Sequence, residues 1–218
     1  MDLLTNWVEW LPRLLDGLWV SIQVTLLGLL VGIPLGLGLA ILSSVRSRMV
    51  RSFTVVAVEI GRGMPALVVL QMVYFGLPTL GLTVNSFIAT VMALAMMTAA
   101  YTSEILRAGL RAVPEGETEA SNALGLSYGD TLRFIVIPQG VRIAVPTLMG
   151  FCILIFQVSS LAFTIGLPEL LSRGYSIGAS TFQYLDVLVL AGLLYLVITV
   201  PAGWLVEGFE KRISRHLN

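Results

Sequence analysis

The chain has 218 residues, of which 56% are hydrophobic and only 12% charged, and its formal net charge is zero. A soluble domain of this length needs roughly a quarter of its residues charged, so the composition excludes one and implies an integral membrane protein. Balanced charge gives no electrostatic case for nucleic acid. The single Cys152, inside the apolar run MGFCILIF, excludes a disulfide framework within the chain and reads as packing.

In chain order, the opening MDLLTNWVEWLPRLLDG lacks the basic start of a secretory signal and carries Asp2, Glu9 and Asp16. The spacing of Leu3, Leu4, Trp7, Trp10, Leu11 and Leu14 predicts a short amphipathic helix at the interface, its tryptophans at headgroup depth. Five segments then reach the ~20 apolar residues that a bilayer core about 30 Å thick requires of a helix. They are residues 17–42, 55–77, 87–106, 143–165 and 185–207. The expected fold is an all-α membrane protein of about five transmembrane helices, forming one domain over residues 1–218. In the first span Gly28, Gly32 and Gly36 make a ridge of small residues suited to close helix packing.

Lysine and arginine favour the cytoplasmic side of a membrane. With the N-terminus outside, 11 of the 13 basic residues lie inside: Arg46, Arg48, Arg51, Arg62, Arg107, Arg111, Arg133, Arg142, Lys211, Arg212 and Arg215. Arg13 and Arg173 stay outside. Arg62, about two turns into the second span, reaches the inner side by snorkelling.

This orientation places a loop of about residues 108–142 in the cytoplasm. Pro114 can sit in a first helical turn, Glu115, Glu117 and Glu119 crowd the positive end of the helix dipole, and Gly125 suits a C-terminal cap. Ser127 to Asp130 has capping-box spacing and starts a second helix, which Pro138 is expected to stop. Two such short helices are marginal alone in water. Their apolar faces imply either a docking element for a cytoplasmic partner or a loop resting on the lipid surface.

Glu119-Ala120-Ser121, then Gly125 and the run ending in Ile137-Pro138, resembles the "EAA…G…I.LP" loop of ATP-binding-cassette importer permeases, with Ser121 in place of alanine. Arg62-Gly63-Met64-Pro65, Tyr74-Phe75-Gly76-Leu77-Pro78, Ala100-Tyr101-Thr102-Ser103-Glu104-Ile105-Leu106-Arg107 and Pro138-Gln139-Gly140-Val141-Arg142 resemble "RGTP", "YFGLP", "AYTAEIIR" and "PQALR". These matches run from about residue 60 to 170 and are similar to the polar amino acid importers of the histidine/glutamate/glutamine type. The resemblance implies a permease of the type I importer fold in the bacterial inner membrane. It assigns ATPase coupling to Glu119, Ala120, Ser121, Gly125 and Pro138. It also implies separate ATPase subunits that bind the ATP, a second permease subunit, identical or not, and a periplasmic solute-binding protein. Where many relatives read "KDTSLA", this chain reads Gln157-Val158-Ser159-Ser160-Leu161-Ala162, without formal charge. That difference favours a neutral or acidic amino acid over a basic one.

Several positions carry two readings. Glu104 and Arg107, one turn apart, form an interfacial pair or a gating element. Arg62 is an intramembrane cation with a function, or the structural partner of Glu59. Gln157, Ser159 and Ser160 line the substrate path or hydrogen-bond between helices. His216 is the only histidine, so no metal site is expected and the residue reads as solvated. The only lysine, Lys211, has no Walker A context, so no cofactor and no ATP hydrolysis are expected in this chain. A membrane enzyme would need a nucleophile with a base, or a carboxylate or histidine cluster, at membrane depth. A channel or secondary transporter working without an ATPase is the alternative function. It would show midplane charges or inverted repeats, and the sequence has neither.

Overall fold

A computed structural model describes residues 3–45 and 47–214. Asp2, Arg46, Arg215 and His216, and the side chains of Leu3 and Leu4, lie outside the described residues. Every regular element among the described residues is helical.

The first helix, α1 (Leu3–Leu42), runs unbroken for 40 residues through Pro12 and Pro34. The short interfacial helix expected at the N-terminus is therefore the first part of span one. Its apolar stripe, Trp10, Leu14 and Leu18, is buried against Phe156, Leu170, Ile177 and Val187. The i, i+4 spacing of that stripe continues into the span without a stop signal, so protein packing replaces the lipid surface as its partner.

Span two is not straight. It consists of α2 (Arg48–Gly63) and α3 (Ala66–Gly76), bent 104° at Met64-Pro65. Proline has no N–H and disfavours helical geometry in the residue before it, and Met64 is extended at φ −81° and ψ 136°. Four helical stretches are long and apolar enough to cross a membrane, and the bent pair makes a fifth. Next comes α4 (Ser86–Arg111), capped by the Asn85 side chain accepting from Ile88 N at 2.8 Å.

The glycine ridge of α1 packs on α4. A Cβ on Gly28, Gly32 or Gly36 would lie 2.8, 2.4 or 2.6 Å from the Cβ of Leu94, Thr98 or Thr102. Because both series rise together, α1 and α4 run parallel, and α2–α3 must return between them. The ridge is spent inside the chain.

Beyond α4 the short α5 (Glu115–Ala123) precedes a helical run that reaches Ile165. The run is α6 (Tyr128–Asp130), a π-helical turn (Thr131–Val136), α7 (Ile137–Val158) and a 3₁₀ stretch (Ser159–Ile165). The stop expected at Pro138 does not occur. The wider π turn precedes the proline, which enters α7 in its first turn, where a missing N–H is tolerated. The second short helix is thus continuous with span four. The stretch 166–184, expected as a loop, contains α8 (Leu170–Thr181), and α9 (Tyr184–Ser214) completes the bundle.

A carboxylate joins the far ends of these helices. Glu169 is fully buried at the start of α8. Its oxygens accept from Ser172 N at 2.7 Å, Leu171 N at 2.9 Å, the Tyr195 hydroxyl of α9 at 3.2 Å and the Ser21 hydroxyl of α1 at 3.4 Å. Gly17 makes room, since a Cβ there would lie 2.8 Å from the Glu169 carbonyl oxygen. Burial pushes this carboxyl up from 4.5 to about 7, against the lowering pull of those donors.

A raised acid pKa means that the folded state holds the proton more tightly than the unfolded one. The stability is present below about pH 4.5 and is lost as pH rises through about 7. The unfolding free energy in detergent is expected to fall across this window by at most about 3 kcal/mol, lowering the melting midpoint, and Glu169→Gln is expected to flatten that pH slope. An unchanged slope in the variant would refute the assignment. At the seam, Gly32→Ala should destabilise by about 1–3 kcal/mol through overpacking. Gly38→Ala, with nothing within 4 Å of its added Cβ, should be neutral in the same melting assay.

Candidate functional site

At the end of the bundle where α1 and α4 finish and α7 begins, the 112–136 segment stands clear of the spans. Pro114 is the N-cap of α5, with Glu115 and Glu117 in the first turn, where the helix dipole favours anions. The C-terminus closes as a Schellman motif: Leu126 N donates to Ser121 O at 3.1 Å and Gly125 N to Asn122 O at 3.0 Å. Gly125 takes φ +75°, the left-handed conformation this motif requires. Ser127 then caps α6, accepting from Asp130 N and donating to Asp130 Oδ2 at 2.6 Å.

Ser121 faces inward, 3% exposed, over the π turn, while Glu119, Ala120, Gly125 and Pro138 face outward. Around the elbow, Leu124 and Tyr128 are each 82% exposed and Phe134 61%. Exposed large apolar side chains gathered on one short segment suit contact with another surface.

Arg62, Glu104 and Arg107 come together beside this segment. Glu104 Oε2 lies 3.5 Å from Arg62 Nη1 and accepts from Arg107 Nε at 2.8 Å. Arg62 keeps the partner expected for it, Glu59, at 3.4 Å, and its guanidinium lies 5.9 Å from the Tyr101 ring centre. Arg62 sits near the end of α2, beside the Met64-Pro65 break that divides span two. The cluster borders an open cavity of about 310 Å³ between α4 and α7, floored by Ala108, Ala144 and Thr147. A cation, a carboxylate, an aromatic ring and small side chains can hold both charged ends of a small zwitterion.

Gln157, Ser159 and Ser160 do not share a face. Ser159 is 1% exposed and donates to Phe156 O. Gln157 is exposed, its side-chain amide without a hydrogen-bond partner among the described residues, and the Ser160 hydroxyl donates to the Gln157 main-chain carbonyl. Tyr101, Thr147 and Gln139 were not singled out from the sequence, although Tyr101 and Gln139 lie in the quoted motifs. Glu169 was missed as well, because glutamate is not among the usual N-cap residues and gives no local signal of that role.

Comparison with known proteins agrees with this architecture. Residues 32–215 match the family described as the binding-protein-dependent transport system inner membrane component. The arginine transport system permease protein ArtQ of Bacillus subtilis is 33% identical over 208 residues, 94% of each chain. The glutamine transport system permease protein GlnP of Escherichia coli is 29% identical over 206 residues, again 94% of each. A crystal structure of an amino acid ABC transporter with histidines superposes with a TM-score of 0.93 at 30% identity, covering 97% of this chain and 99% of that one. An inward-facing methionine transporter, MetNI, shares the fold at a TM-score of 0.67 and 22% identity, over 90% of this chain and 96% of that one. The helical order, the capped segment between α4 and α7 and the matches along the chain make this protein a member of the binding-protein-dependent transport system inner membrane component family, a multi-pass protein of the inner membrane.

Proposed function

We propose that the chain is the permease subunit of an ATP-driven importer that moves a polar amino acid inward, with the N-terminus outside and the α5 segment in the cytoplasm. The observation that carries this reading is the apolar elbow of Leu124 and Tyr128 around Gly125, exposed on a segment that protrudes from the bundle. A groove of a separate ATPase subunit covers it, and ATP binds and is hydrolysed there, not in this chain. A binding protein outside delivers the solute to the 166–184 region, and a second permease subunit completes the pathway.

The resemblance to amino acid permeases and the Arg62–Glu104 cavity support the substrate class. Arg62 takes the carboxylate and Glu104 the ammonium group of the amino acid. Gln157, an exposed amide with no side-chain partner among the described residues, contacts a neutral or acidic side chain further along the path.

The test is uptake by proteoliposomes holding the permease, its ATPase and its binding protein. Gly125→Pro, which forbids φ +75°, and Glu119→Lys, which reverses charge on the outer face, should each lower uptake about tenfold or more while the spans still insert. Unaltered uptake in both, or uptake driven by an ion gradient without any ATPase, would sink the reading. Gln157→Ala should reduce uptake of the preferred amino acid while ATP hydrolysis continues, measured in the same vesicles.

A further inference from the structure

The segment that carries α5 leaves the bundle and returns to it through a narrow neck. Gly109 of α4 and Gly140 of α7 meet there backbone to backbone. A Cβ on Gly109 would lie 2.5 Å from the Gly140 carbonyl oxygen and 2.8 Å from Ala144 Cβ. A Cβ on Gly140 would lie 2.8 Å from Leu110 Cα. The obstacles are mostly main-chain atoms, which cannot yield as a long side chain would.

Two further ties lie beyond the crossing. Glu117 Oε2 accepts from Gln139 Nε2 at 3.0 Å, joining the first turn of α5 to the first turn of α7. Ser121 packs inward over the π turn, where Thr131 is 4% exposed, and Val113 is buried between the neck and α5. The Gly125 elbow has both Schellman bonds closed, so it is a fixed corner and not a loose joint. α5 thus has no free pivot between its own ends and the ends of α4 and α7.

We propose that Gly109, Gly140, Glu117 and Gln139 are positioning residues that weld α5 to α4 and α7, so that a push on α5 turns both spans as one body. The inference rests on the proposed coupling role of α5 and adds where motion is not absorbed. A swing of α5 about Gly125 would waste the stroke; a welded neck transmits it to the cavity lined by Arg62 and Glu104.

The experiment uses the full transporter, with ATPase and binding protein, in proteoliposomes, and a Cys152→Ala background that leaves no native thiol in this chain. Glu117→Cys with Gln139→Cys is bridged by a short cleavable thiol cross-linker. If the neck is rigid, the bridged protein keeps most of its uptake; abolition of uptake that cleavage of the linker reverses would overturn the inference. In parallel, Gly140→Ala forces the crossing apart, and substrate moved per ATP hydrolysed should fall about tenfold. A purely structural role would lower uptake and hydrolysis in proportion, and that constant ratio would also overturn the inference. Failure of the coupling role itself looks different, because the unmodified chain would then not co-purify with the ATPase.

Discussion

The contact between α1 and α4 is what the remaining structure depends on. Lipid offers helices no hydrophobic reason to associate, so packing must come from backbones that approach closely. Gly28, Gly32 and Gly36 permit that approach, and Thr98 and Thr102 bring their β-carbons against the glycine faces. The cost is that the hydroxyls of Thr98 and Thr102 are buried without hydrogen-bond partners among the described residues. Parallel registry of these two helices then dictates that the intervening chain crosses back. It also places the ends of α1 and α4 on the side where α5 projects.

From that frame two small-residue crossings set the working geometry. Gly109 against Gly140 fixes α7 to α4 beside α5, and Gly17 admits the Glu169 junction at the opposite end. Between them lies the cavity with its charged cluster. The chemistry is sparse by design of the solvent: every intramembrane charge needs a partner or a pathway, and Arg62, Glu104 and Arg107 supply partners to one another.

Much of this was legible in the residues because it is local. The caps at Ser127 and Gly125, and the pairing of Arg62 with Glu59 and of Glu104 with Arg107, follow from spacing alone. What was not legible required knowledge of distant partners. Hydropathy averages across Gly61 to Pro65, so it drew one straight span where the proline imposes a break. Pro138 carries a stop signal that the preceding π turn absorbs. Ser159 reads as a polar group in mid-span until Phe156 and its neighbours enclose it, and Glu169 reads as a loop acid until Ser21 and Tyr195, far away in sequence, supply its donors.

The length of α1 has a consequence for the shape of the whole particle. Forty residues of helix extend about 60 Å, whereas a bilayer with its headgroups is about 40–45 Å thick. Inclined at the steep limit of about 40°, the helix still rises about 46 Å and runs about 40 Å sideways. It therefore either stands proud of the headgroups or lies as an oblique beam almost as broad as the membrane is deep. In both cases this first helix is longer than the lipid alone would require.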